Sequence, residues 1–236
     1  MMPSRREFLH AASAAAVALA APRTAAATYD VLIKGGRVLD ASQKMDRIAD
    51  VAIAAGRIVR IDDNLSAADA ADVIDAHGKL VTAGLVDIHA HLSREMLPAH
   101  CLSTGVTSIV DAGSNGADTV GEIVDIAEHA PNRMRVLLNL SRTGLGGPGE
   151  LLDFAKADAA AARRAIEAHR TVIVGIKARL SRNVAGEHDL DAIRRAHEVT
   201  VPLNLPLMVH VASGHGPPIT ESIVHIDPTA TVTRWP

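Results

Sequence analysis

From residue 84 onward the sequence repeats one unit: a short, continuous apolar run followed by a stretch with helical spacing. The runs occupy residues 85–91, 106–112, 135–140, 172–177 and 207–211. Helical patterns fill residues 118–130, 158–170, 189–199 and 219–226. In the first of these, Val120, Ile123, Val124 and Ala127 fall on one face, and Pro131 stops it. In the third, Leu190, Ile193 and Ala196 share a face. Strands with apolar residues on both faces must be covered on both sides. A parallel sheet flanked by helices meets that demand, so the fold class is α/β. The pattern leaves open whether the sheet is an open doubly wound one or part of a closed barrel.

Residues 28–83 read differently. Short β-branched segments recur about every ten residues: 30–34, 37–39, 48–53, 57–61, 73–76 and 80–81, with Gly35-Gly36 as a turn between the first two. This spacing predicts a small β-sandwich segment. It is too short to bury a large core of its own.

Before it, Arg5-Arg6 is followed by Phe8-Leu9, an Ala-rich apolar run over 11–21, and the small residues Ala25-Ala26-Ala27. A charged start, an apolar stretch of this length and an Ala-x-Ala site form an export signal over residues 1–27. The paired arginines resemble the twin-arginine type, which engages the folded-protein export machinery and predicts a periplasmic or otherwise exported location. The run is shorter than the roughly 20 apolar residues that span a bilayer.

Composition narrows the chemistry. Net charge is −3 and aromatics are 2% of residues, which removes the basic field and the stacking platforms of nucleic-acid binding. The single cysteine, Cys101, excludes an intramolecular disulfide framework and a cysteine-rich zinc knuckle. It reads as a buried helix residue. Any metal must therefore be held by histidine and oxygen ligands, and the chain has twelve histidines.

His89 and His91 stand two apart on the first apolar run, so their side chains share a face. They lie at its C-terminal end, where parallel α/β folds place their sites. That spacing suits one divalent ion, and equally a pair of half-buried, hydrogen-bonded histidines. Lys177 closes the run over 172–176. Burial would depress its pKa and make the amine nucleophilic, able to take up carbon dioxide as a carbamate. By itself it also fits a lysine that snorkels or pairs with a carboxylate. His210 sits in the last apolar run and by itself fits a hydrogen-bonded core histidine.

Taken together, these residues follow a specific order: His-x-His on the first strand, Lys on the fourth and His on the fifth. This order, after the β segment ending Lys79-Leu-Val-Thr-Ala-Gly-Leu-Val-Asp-Ile-His-Ala-His91, resembles the amidohydrolase superfamily. The opening Tyr29-Asp-Val-Leu-Ile-Lys-Gly-Gly-Arg-Val-Leu-Asp40 is similar to it as well. Asp111-Ala-Gly-Ser-Asn-Gly116, Asn139-Leu-Ser-Arg-Thr-Gly144, Gly175-Ile-Lys-Ala-Arg179 and Met208-Val-His-Val211 resemble its dihydroorotase-like deacetylase branch. The resemblance implies a (β/α)₈ TIM-type barrel with a small sandwich, the barrel beginning at residue 84. It implies zinc, with His89 and His91 on a first ion, carboxylated Lys177 bridging two, and His210 on the second. It implies hydrolysis of an amide or acyl ester bond of a small-molecule substrate.

The family's sixth strand would end in Thr-His where this chain has Thr233-Arg234. The family's strand-eight aspartate, its acid–base residue, has no counterpart here. The expectation for residues 84–236 is thus an incomplete barrel of about five strands, four of six metal ligands, fewer than two zinc ions and little hydrolase activity. A catalytically inactive remnant and a periplasmic binding module are the other readings. Exposed strand edges would invite aggregation or a homo-oligomer. His215 and His225 end no apolar strand and read as structural or solvent-exposed. Asp227 and Glu221 are the carboxylates nearest the missing role.

Overall fold

A computed structural model describes residues 27–146, 149–181 and 183–211. The chain divides into two compact units, one up to Ala83 and one from Gly84. The segment over 1–26, with Arg5 and Arg6, lies outside the described residues. So do His215, Glu221, His225, Asp227 and Arg234.

The first unit is a five-stranded sheet. Strands β1 (Tyr29–Asp40), β2 (Met45–Ala54) and β3 (Arg57–Asp62) form an antiparallel meander. Strands β4 (Ala70–Asp75) and β5 (Leu80–Thr82) both run parallel to β1, β4 along its first half and β5 along its second. The expected turn at Gly35-Gly36 is instead an irregularity inside one long strand. The β1–β2 register slips between Ile33 and Gly36, and Gly35 has φ +68°. That left-handed conformation favours glycine, and a Cβ there would displace the exposed His77 ring. Two small apolar clusters result. Leu32, Ala52 and Leu65 form one, and Val38, Ala49 and Val51 the other. Buried Asp50 ties this unit together: it accepts from Lys34 Nζ at 2.5 Å, from the Gly35 amide at 2.8 Å and from the Leu65 amide at 2.9 Å.

The second unit carries the expected alternation. Its strands are β6 (Leu85–Ala90), β7 (Val106–Ala112), β8 (Arg133–Asn139), β9 (Ile173–Leu180) and β10 (Leu207–Val211). Its helices are α1 (Pro98–Leu102), α2 (Val120–Glu128), α3 (Ala159–Ala168) and α4 (Asp189–Leu203). All five strands are parallel, and their spatial order follows their sequence order. A doubly wound sheet reverses its order at a switch point; this sheet does not, and it is a curled half-barrel. That settles the question the sequence pattern left open.

Burial follows position in the sheet. On central β8, Met134, Val136, Leu137 and Leu138 are all buried, sealed on both faces. The core joins them to Ile123 and Val124 of α2, Ala162 and Ile166 of α3, and Ile193 and Ala196 of α4. Edge strand β6 is different: Leu85, Val86 and Ile88 are 59%, 61% and 51% exposed. Cys101 lies in α1 as expected, but half-buried rather than buried. Pro202 is tolerated within the last turn of α4, and Asn204 closes that helix in the left-handed conformation.

Candidate metal site at the strand ends

Residues from both edges of the half-barrel meet at one end of it. His89 belongs to β6, His210 to β10 and Lys177 to β9, and His91 directly follows β6. In a flat sheet β6 and β10 would stand about 19 Å apart, at about 4.8 Å per strand. The His89 and His210 rings are instead 5.8 Å apart between centroids, edge to face, and the His91 ring lies 5.5 Å from that of His89. Curling of the sheet, not sequence proximity, assembles the group.

Among the described residues, Lys177 is the largest side chain with no exposed surface. Its Nζ lies 3.0 Å from His89 Nε2 and 3.4 Å from Met208 Sδ. Burial is the main force on the amine, with the neighbouring Arg179 charge adding to it against Asp111 and Glu150; together they lower its pKa to about 8. His89, His91 and His210 are all pushed down as well, in each case chiefly by burial, which favours the neutral imidazole.

The residues after β7 support His91. Asp111 is fully buried and accepts from the backbone amides of Leu92 (2.9 Å), Gly113 (3.1 Å) and Ser114 (2.8 Å). It also accepts from Ser114 Oγ at 2.6 Å. With its one hydrogen committed to Asp111, Ser114 Oγ must act as acceptor toward His91 Nδ1, 3.2 Å away. That puts the proton on Nδ1 and leaves the Nε2 lone pair open. Gly113 lets this turn pass close to the lysine. It has φ +85°, and a Cβ there would lie 2.7 Å from Lys177 Cβ.

A second polar group lies beside the first. Asn139 stands opposite Lys177 in the β8–β9 register, and its Nδ2 donates to Gly113 O and to Glu150 Oε1, both at 3.0 Å. Glu150, with its side chain wholly buried, accepts from Arg179 Nη1 at 3.0 Å.

The donors fit a divalent cation in their chemistry: three neutral imidazoles, one with its tautomer fixed, and a buried amine with a depressed pKa. Among the described residues, His, Cys, Asp and Glu side chains alone form no group of three able to hold an ion. The four expected residues are all brought together. Asp111 and Ser114 were noted from sequence only within the stretch Asp111–Gly116, with no role given to either, and Glu150 was not noted at all.

No family model matches the chain. It is 30% identical over 203 residues to a deacetylase of Enterococcus faecalis, an alignment covering 83% of this chain and 53% of that protein. A dihydroorotase of Geotalea daltonii is 51% identical over 63 residues, 27% of this chain and 15% of that one. Among solved structures, an adenine deaminase superposes with a TM-score of 0.74 at 31% identity, over 84% of this chain and 54% of that one. A dihydroorotase does so at 0.67 and 26%, over 78% and 51%. The chain spans about half the length of the curated deacetylases it matches.

Proposed function

The chain belongs to the amidohydrolase superfamily, and on that footing we propose that it is a metal-dependent hydrolase of an amide (C–N) or acyl ester bond in a small molecule. The observation that carries this reading is the buried Lys177 amine 3.0 Å from His89 Nε2, with His91 and His210 packed around His89. His89, His91, Lys177 and His210 would hold the ion, with zinc suited to their nitrogen-rich set. When bound, such an ion supplies a Lewis acid that activates water against a carbonyl.

The chain's own residues prepare that site. Ser114, oriented by Asp111, keeps His91 Nε2 unprotonated. Asn139 joins the β7 turn to Glu150 and so fixes the strand ends around the lysine. The Lys177 amine, neutral in a substantial fraction near pH 8, would take up carbon dioxide: the N–C bond forms, a proton leaves to solvent, and a carboxylate oxygen becomes available as a ligand. We also propose that Arg5-Arg6 directs export of the protein.

The test is zinc content of the purified protein, followed by hydrolysis of N-acetyl amino acids, acetyl esters and dihydroorotate. The reading expects zinc that is lost in His89→Ala and His210→Ala, and a carbamate carbon signal after ¹³C-bicarbonate labelling that is lost in Lys177→Ala. Zinc retention equal in the variants and the unaltered protein would overturn it.

A further inference from the structure

Lys177 and Arg179 are two apart on β9, so their side chains share a face. Arg179 stands opposite His210 in the β9–β10 register. The guanidinium thus lies on the histidine side of the sheet, one step closer to the open end than the lysine. Its partner Glu150 has no exposed side-chain surface, whereas the arginine side chain is 21% exposed. Glu150 is itself held, by Asn139 Nδ2 at 3.0 Å and by the Gly146 amide at 3.4 Å. Among the described residues, Nη1 is the only guanidinium nitrogen of Arg179 with a hydrogen-bond partner.

Here the carboxylate is buried and anchored, while the arginine keeps part of its surface and, among the described residues, has donors with no partner on the histidine side of the sheet. Arginine offers a rigid fork of donors that matches a carboxylate in two parallel hydrogen bonds. We propose that Arg179, oriented by Glu150, is the subsite for a carboxylate on the substrate, which makes the substrate an acyl compound bearing an acid group. This rests on the hydrolase reading and specifies its substrate class.

The experiment uses zinc-loaded protein and two probes of equal shape, N-acetylglycine and its neutral amide, with binding followed by calorimetry. The unaltered protein is expected to prefer the acid by about tenfold or more, the scale of one charge-assisted contact. Arg179→Lys should retain part of the preference. The double variant Arg179→Gln/Glu150→Gln, which leaves no unpaired buried charge, should lose it, with zinc content and melting temperature measured on the same sample. Equal affinity for the two probes in the unaltered protein overturns the subsite, as does a preference that survives in the double variant or binding of neither probe. Zinc content of the same samples judges the hydrolase reading separately, so protein that holds zinc without preferring the acid refutes only the subsite.

Discussion

Lys177 Nζ and His89 Nε2 lie 3.0 Å apart although 88 residues separate them in sequence. Neither residue gains stability from this arrangement in an obvious way. A fully buried lysine is rare and costs folding free energy unless it is paired, and a neutral imidazole is a weak partner for it.

Lys177→Met should therefore separate function from stability. The substituted side chain has similar length and no charge to bury. The melting temperature is expected to stay level or rise, while bound zinc falls, both measured on the same preparation. A melting temperature lowered by several degrees would show that the amine is a structural anchor.

Gly113→Ala tests the close approach of the β7 turn to the lysine. The left-handed backbone alone costs an alanine about 1–3 kcal/mol, and the new Cβ would sit 2.7 Å from Lys177 Cβ. Urea unfolding should report a loss at or above that range, together with weaker zinc retention. A variant as stable as the unaltered protein would contradict the described turn.

The pH dependence of the first unit should follow Asp50. Burial pushes its carboxyl up, but the Lys34 ion pair and the Gly35 and Leu65 amides outweigh that and hold it below the ordinary aspartate range. A depressed native pKa contributes stability that is full above the unfolded value of about 4 and is lost as pH falls through the native one. Asp50→Asn should remove this acid-side dependence and lower stability near neutrality by about 1–3 kcal/mol. Thermal melts from pH 2 to pH 7 on both proteins provide the measurement.

Edge strand β6 presents Val86 and Ile88 on the face opposite His89, both more than half exposed. An apolar parallel edge invites pairing with other chains. Val86→Lys should reduce self-association of the 236-residue chain in size-exclusion chromatography without altering its circular dichroism. Unchanged association would place the sticky surface elsewhere.

Replacing Arg5 and Arg6 by lysine should leave the protein in the cytoplasm in a fractionation assay. Unchanged delivery would argue against a twin-arginine route.

The sequence made the second unit legible because β7 to β10 carry apolar residues on both faces, a pattern that depends only on local composition. Boundaries shifted little: the helix expected over 118–130 is Val120–Glu128. Gly35-Gly36 misled because two glycines serve a turn and a bulge equally well. The choice was made by β4 and β5, which lie 35 or more residues away and hold the two halves of β1 in one strand. His89, His91, Lys177 and His210 were legible by their order along the strands. Glu150 was not, because it sits outside any periodic segment and acquires its role only when Asn139 and Arg179 fold onto it.

His89 and His210 occupy the first and last strands of a sheet whose order follows the chain. An ion shared by them would therefore be a clasp on the whole unit, closing the loop that contains every intervening element. Its binding free energy would be folding free energy, available only after the final strand has docked. Stability of this unit would then vary with zinc concentration, and a chelator would act on it as a denaturant.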